Sequence, residues 1–449
     1  MPARPGACAP NARRLAGFRR TFLMRAAKVL AGCACLALAV GATFAQDSGG
    51  LKTTGGASGV EVRTVLGLNG ANNLGGGSTF GLGVIVAADG PTSTFGQLAV
   101  DGASLAVAQI EAAGGPNIRL LIQRVRHGDS VATALGELAG GGAAVVLTAG
   151  IDISPQLAAG LGQYKLLGLD GQHGLSDSTQ GTAFLWGTRA MQPDDDFAGA
   201  LQYLTEVKPA TKNVSLVYRD EGPESATLVS NFTQALLLDG LKLGSAEATT
   251  SGDSDYSAAV LGLTAANSDA VFVYETGTDL GYFLKQLHAS GLKAQIIGTD
   301  YSAAAAEIAG SSFDNYLLAS DWFDANHTTN NWASLFVRSY RTAYGMPPEV
   351  YAANAYEDTF AVWTLIRRLL AKGKSPTTGQ MLQDELIANH GFKSVYGGDG
   401  ADLDDMLLDT KSHRVIERPF GVYRVSGSDL APVARFDIGG ANFELSSGG

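Results

Sequence analysis

Five stretches of the chain carry polar groups able to grip a small molecule: Ser93 and Thr94, Asp152 to Ser154, Gly171-Gln172-His173, Glu275-Thr276, and Asp300-Tyr301. Hydroxyls and free N–H groups at the start of a helix hold a carboxylate or a carbonyl. A carboxylate such as Asp300 or Glu275 holds an amine through a charge-assisted hydrogen bond worth roughly 1.5–3 kcal/mol. Taken singly, each of these residues reads equally well as a helix cap or a loop residue. Their common feature is position, because each group sits at or just beyond the end of a strand-like run. No base, nucleophile and orienting group are recognisable among them, so the pattern favours binding over turnover.

Other chemistries fail on spacing. In "ADGPTSTFGQLAVDGASLAVAQIEAAGG", residues 88–115, five residues separate Gly90 from Gly96 and Gln97 stands where a phosphate-binding Lys would be. Gly81 and Gly83 lie inside a strand, and Val86 replaces the third glycine of a dinucleotide fingerprint. The histidines His127, His173, His288, His327, His390 and His413 show no metal-ligand spacing. Gly174-Leu-Ser-Asp-Ser178 lacks the second glycine of a nucleophile elbow. Asp194 to Asp196 suit a helix start, and Asp402, Asp404 and Asp405 a solvated turn. Neither a metal nor a cofactor is expected.

The elements that must position the polar groups alternate along the chain. Strands are predicted at Gly81 to Ala87, Ile118 to Val125, Ala143 to Ala149, Lys165 to Asp170, Val214 to Arg219, Leu241 to Ala246, Ala270 to Glu275, Gln295 to Thr299 and Tyr316 to Asp321. Helix-period segments lie between them, the first from Gly96 to Ala113 with Ala99, Ala103, Ala106, Val107 and Ile110 on one face. After Asp324 the chain turns helical and ends in strand-like Gly421 to Val425 and Ala434 to Ile438. This is an α/β protein with mostly parallel sheets. Its 449 residues exceed the roughly 250–300 at which one core stops growing, so two lobes of like architecture are expected.

Residues 1–45 contain seven Arg or Lys and no Asp or Glu. A basic region to Lys28, an apolar run from Val29 to Val40, and Gly41-Ala-Thr-Phe-Ala45 make an export signal with cleavage expected after Ala45. The route is either twin-arginine export, from Arg19-Arg20, or general secretion from a start at Met24. Cys8, Cys33 and Cys35 all fall in this segment, which excludes thiol chemistry and disulfides from the mature protein. The mature chain keeps 25 Lys and Arg against 43 Asp and Glu, a net charge of −18. Nucleic acid is not an expected partner of such a surface. Residues 46–79, rich in Gly, Thr and Asn, read as a flexible leader.

The order of segments carries a resemblance. "GVIVAADGPTSTFGQLAVDGASLAVAQIEAAGG", "FLWGTRAMQPDDDFAGALQYL", "NVSLVYRDEGPESA", "SDYSAAVLGLTAANSDAVFVYETGTDLGYFLKQLHASGLKAQIIGTD" and "PEVYAANAYEDTFAVWTLIRRL" together resemble type I periplasmic binding proteins of ABC importers for branched-chain amino acids and amides. The resemblance spans residues 80–440. It implies two Rossmann-like lobes joined by hinge strands, residues 80–189 with 325–408 and residues 190–324 with 409–440. It also implies a periplasmic monomer that closes on a small polar solute and presents it to a membrane permease. By the same resemblance the ligand is held by Gly150, Asp152, Ser154, Gly171, Gln172, His173, Tyr274, Glu275, Asp300 and Tyr301, with Ser93, Thr94 and Phe95 at the rim. Ile151-Asp-Ile-Ser154 and Gln172-His173 depart from the small residues such receptors use to hold an α-carboxylate, which leaves amides, polyols, amines and atypical acids open. A sensing receptor of the same fold, and an α/β dehydrogenase or hydrolase, are the alternatives.

Overall fold

A computed structural model describes residues 53–151, 155–171, 183–189, 193–220, 223–328, 330–397, 406–427, 429–437 and 442–446. After helix α1 (Gly59–Val65) the first lobe is built on β1 (Thr79–Ala87), β2 (Asn117–Val125), β3 (Ala143–Ala149), β4 (Leu167–Asp170) and β5 (Leu185–Gly187), all parallel, in the order β2-β1-β3-β4-β5. Helices α2 (Ser93–Ala112), α3 (Val131–Gly140) and α4 (Pro155–Tyr164) connect these strands. β1 has both faces buried. Leu82, Val84 and Val86 join a core with Ala103, Ile110, Ala352 and Trp363, whereas Ile85 joins Leu135 and Leu161 on the other side. A strand covered on both faces reads as a near-continuous apolar run, which is why this one was legible.

The second lobe repeats the scheme with α5 (Pro193–Val207), β6 (Asn213–Arg219), α6 (Pro223–Leu238), β7 (Lys242–Thr249), α7 (Ser257–Ala265), β8 (Ala270–Tyr274), α8 (Gly277–Ser290), β9 (Gln295–Gly298), α9 (Ala303–Ala309) and β10 (Leu317–Asp321). Its parallel part runs β7-β6-β8-β9-β10, the same order as the first sheet. In both lobes the strand order reverses at the first strand, and the crevice beyond the strand ends at such a reversal is where open α/β sheets bind ligands.

The chain then returns to the first lobe as α10 (Asn331–Tyr344), α11 (Val350–Ala371) and α12 (Gly379–Ala388). Asn330 caps α10 by accepting from Ala333 N at 2.8 Å, and Thr378 caps α12 by accepting from Met381 N at 3.3 Å. α11 lies so close to α2 that a Cβ on Gly102 would overlap the backbone of Ala352, so glycine sets that helix contact. A small antiparallel sheet follows, made of β11 (Gly391–Phe392), β12 (Met406–Leu408) and β13 (Val415–Glu417). Finally β14 (Pro419–Ser426), β15 (Asp429–Asp437) and β16 (Glu444–Leu445) extend the second sheet in antiparallel fashion from β10.

Two sequence expectations meet a different structure. The segment expected as a flexible leader is packed from residue 53 onward. Ser58 and Glu61 form a capping box on α1, Val62 is fully buried, and Arg63 donates to Ala113 O at 2.9 Å. Trp363 Nε1 donates to Leu74 O at 2.8 Å. A few apolar anchors among glycines suffice to fix the segment, and composition hides them. Helix α2 begins at Ser93 rather than Gly96, so Ser93, Thr94 and Phe95 form its first turn.

Candidate functional site

On the first lobe, the β1–α2 turn is tied to the end of β3. Thr92, the N-cap of α2, does not cap the helix with its side chain; its hydroxyl donates instead to Gly150 O at 2.6 Å. Gly150 sits at φ +70°, and a Cβ there would come within 2.7 Å of Thr92 O, so both conformation and space require glycine. Ser93 Oγ donates to Gly90 O at 2.9 Å, and Thr94 is exposed. Phe95 turns inward and stacks on Tyr351 of α11, with ring centroids 3.8 Å apart and planes 15° from parallel.

On the second lobe, Asp300 follows β9 and is 2% exposed. Its Oδ2 accepts from Gly277 N, at the start of α8, at 2.7 Å. Its other oxygen accepts from the Tyr351 hydroxyl of the first lobe. Burial pushes the Asp300 carboxyl above its ordinary value, against the pull of the Tyr351 and Gly277 hydrogen bonds and of the Arg189 and Arg219 charges. Pro91 O of the first lobe lies against Gly277, at φ +59°, closely enough that a Cβ on that glycine would overlap it. Through these contacts the lobes are closed on one another.

The three crossings between lobes are joined by one buried network. Arg189, after β5, pairs with Asp321 at the end of β10 through Nε to Oδ2 at 2.7 Å and donates to Ser320 Oγ at 3.2 Å. Arg418, just before β14, pairs with Asp321 at 3.5 Å and with Glu357 of α11. Asn354 of α11 accepts from Arg418 at 3.2 Å and donates to Gly171 O at 2.6 Å. Asp358, one residue beyond Glu357, accepts from Thr188 Oγ1 at 3.0 Å, and burial pushes its carboxyl up to about 8.

Beside the Asp300–Tyr351 contact lies a cavity of about 220 Å³. Thr299, Asp300, Tyr301 and Ala303 line it from the second lobe, residues 346–350 from the first, and Arg189, Ser320 and Asp321 from the crossings. Glu349 contributes an Oε2 that is enclosed and has no hydrogen-bond partner among the described residues. Burial pushes this carboxyl up to about 7, against a hydrogen bond from Ala303 N and with the Asp300 charge adding to the rise. The lining thus sets the carboxylates of Asp300, Asp321, Asp324 and Glu349 against one cation, Arg189, which already holds Asp321.

The structure gathers part of the sequence-derived set. Phe95, Asp300 and Tyr301 stand at or beside the closed cleft, with the half-buried Tyr301 hydroxyl donating to Gly427 O at 3.4 Å. Gly150 and Gly171 contribute backbone at the strand ends; a Cβ on Gly171 would come within 2.8 Å of the Asp358 carboxylate. Glu275 is fully buried within its own lobe. Arg219 donates to it through Nε at 3.1 Å, Thr249 through its hydroxyl, and burial pushes its carboxyl up to about 7. Tyr274, half-buried, meets Phe197 edge-on at 6.4 Å. Asp152, Ser154, Gln172 and His173 lie outside the described residues, as do Gly174 to Ser178, Asp402, Asp404, Asp405 and the export segment; of the side chains of Asp194 to Asp196 nothing is described. Arg189, Glu349 and Tyr351 were not singled out from sequence, although Arg189 and Tyr351 stand in the quoted "WGTRAM" and "PEVYAAN". A charged residue at a lobe crossing, and an aromatic one in the first turn of a helix, were the available signals. Among the described residues no group of three or more His, Cys, Asp or Glu is placed to hold a metal ion, and no helix is long and apolar enough to cross a membrane.

Comparison with known proteins adds three findings. The family model "Periplasmic binding protein" matches residues 79–427. The Leu/Ile/Val-binding protein homolog 3 of Brucella melitensis biotype 1 is 26% identical over 179 residues, 38% of this chain and 46% of that protein, so the alignment spans under half of the relative's length. Two crystal structures share the fold. The branched-chain amino acid transporter substrate binding protein LivJ from Streptococcus pneumoniae, in complex with isoleucine, has a TM-score of 0.66 at 18% identity, covering 79% of this chain and 99% of that one. An ABC transporter solute binding protein from R. palustris, in complex with benzoate, has a TM-score of 0.64 at 15% identity, covering 82% and 98%.

Proposed function

The chain belongs to the periplasmic binding protein family, and from that premise we propose that it is an exported, non-catalytic receptor of an ABC importer that captures a small polar solute between two closing lobes. The observation that carries this reading is the cavity of about 220 Å³ lined from both lobes and from the crossings between them. Ligand pockets for drug-sized molecules run from roughly 300 to 1,000 Å³, so this space suits a smaller solute. Closure follows population shift, since a solute touching both lobes gains its full set of contacts only in the closed state.

The lining narrows the class of solute. Four carboxylates face one arginine that is already engaged, so the site favours hydrogen-bond donors, amines and amides above all, over a free carboxylate. Amino acids, amides and related compounds remain the class, with the donor end directed at Asp300 and Glu349. The receptor works as a monomer in the periplasm, and its closed form docks on a membrane permease. A thermal-shift screen of the chain without its export segment, against amino acids, amides, amines, aromatic acids and polyols, tests the reading. A solute at 100 times its Kd stabilises by about 2.7 kcal/mol. Stabilisation by an amine- or amide-bearing solute supports the proposal, and no response to any class contradicts it.

A further inference from the structure

Two acids from opposite lobes line the same cavity, Asp300 after β9 and Glu349 at the N-cap of α11. Glu349 does not cap its own helix with its side chain. Its Oε1 reaches across the lobe contact and accepts from Ala303 N, at the first position of α9, at 3.3 Å. Its Oε2 is enclosed and has no hydrogen-bond partner among the described residues.

No cation compensates this carboxyl. The β9–α9 turn presents Asp300 and Tyr301 to it, α10 presents Tyr340, and its own helix presents Tyr351, which is already bonded to Asp300. The rest of the cavity wall adds Asp321, paired with Arg189 at 2.7 Å, and Asp324, which meets the exposed His327 at 2.6 Å. Burial raises the Glu349 carboxyl from 4.5 to about 7, with the Asp300 charge adding to the rise. An unpaired carboxylate shut in beside a second one is costly, whereas the neutral acid is not. Separating the lobes would take Ala303 N and Asp300 away from Glu349 and let water reach it.

We propose that closing the lobes takes up one proton from the medium, held on Glu349, so that acid favours the closed form and alkali loosens it. The inference rests on the reading of the chain as a receptor whose lobes open and close. Its sign follows from which form holds the proton. Between 4.5 and about 7 the closed form keeps a proton that the open form has lost. The advantage of closure is therefore complete below this window and lost as pH rises through about 7. A solute that binds only the closed form inherits the same dependence.

Small-angle scattering on the solute-free chain without its export segment, from about pH 5 to about pH 8.5, tests the proposal. The radius of gyration is expected to rise with pH in the parent and to stay at its acid value in Glu349→Gln. Glu275 and Asp358, the other acids raised into this range, are untouched by that substitution, so the comparison isolates Glu349. Ala303→Pro removes the donor that favours ionised Glu349, and proline suits the first position of a helix. It should move the transition up by about half a pH unit or more, the scale of one hydrogen bond, and it keeps the test open if Glu349→Gln folds poorly. A radius independent of pH in the parent, or the same pH dependence in Glu349→Gln, overturns the proposal. Compaction on adding solute at one fixed pH reports separately on the receptor reading, so the two failures are distinguishable.

Discussion

Tyr351 of the first lobe donates its hydroxyl to the carboxylate of Asp300 in the second, and both side chains are buried where they meet. The contact couples closure to the charge state of a single acid. Asp300 takes one donor, the Tyr351 hydroxyl, from the first lobe and the other, Gly277 N, from its own. A solute amine reaching Asp300 would therefore act at the point where the lobes are already joined.

Replacing Asp300 by Asn keeps a group of the same shape and removes the charge. Affinity for an amine-bearing solute is expected to fall by about 1.5–3 kcal/mol, with the midpoint of denaturant unfolding little changed. Isothermal calorimetry against the solute found by thermal shift checks this. Unchanged affinity removes Asp300 from the site.

Gly277 tests closure by bulk alone. A Cβ at this position overlaps Pro91 O across the lobe contact, and φ +59° disfavours any L side chain. Gly277→Ala is expected to hold the lobes apart and weaken solute binding about tenfold or more, with a larger radius of gyration in solution. A variant as compact as the parent on adding solute would contradict the geometry described.

The crossings carry a buried ion pair whose loss is one-sided. Arg418 is 3% exposed and pairs with Glu357, which is fully buried. Arg418→Met leaves an uncompensated buried carboxylate and should cost about 3–5 kcal/mol in chemical denaturation. Adding Glu357→Gln should recover a substantial part of that loss, because the isolated charge goes with it.

Asp358 predicts a pH dependence. Its carboxyl is pushed from 3.8 to about 8 by burial, so the folded chain binds more protons than the unfolded chain between these values. Its contribution to stability is therefore greatest at low pH, declines as pH rises toward about 8 and is flat beyond. Asp358→Asn should match the parent near pH 4 and exceed it by about 1–3 kcal/mol at pH 9, with Thr188 still able to donate to the amide oxygen. Melting temperatures at the two pH values provide the comparison, and a variant that is less stable at pH 9 would refute the burial argument.

Much of the fold was legible because local pattern and tertiary role agree. β1 and β8 are apolar runs because both of their faces are covered, and α2 shows its small-residue face because α11 packs directly on it. The short strands β5, β11, β12 and β13 have too few residues for a period to show. The site was harder to read. Asp300 stood out as an acid after a strand, but its partner Tyr351 lies 51 residues away, and Arg189 lies 132 residues from Asp321. Spacing carries no information across such distances. Glu275 looked equivalent to Asp300 from sequence, yet it follows β8 at the point where the strand order reverses, beside Arg219 at the end of β6, and Arg219 holds it within its own lobe.

Small-angle scattering during a titration with the solute identified by thermal shift tests interlobe capture most directly. The account predicts a saturable fall in radius of gyration at one solute per chain, abolished in Gly277→Ala and, for an amine-bearing solute, weakened in Asp300→Asn. Saturable binding with no change in radius of gyration, and with the same affinity in both variants, would place the solute outside the cleft and contradict it.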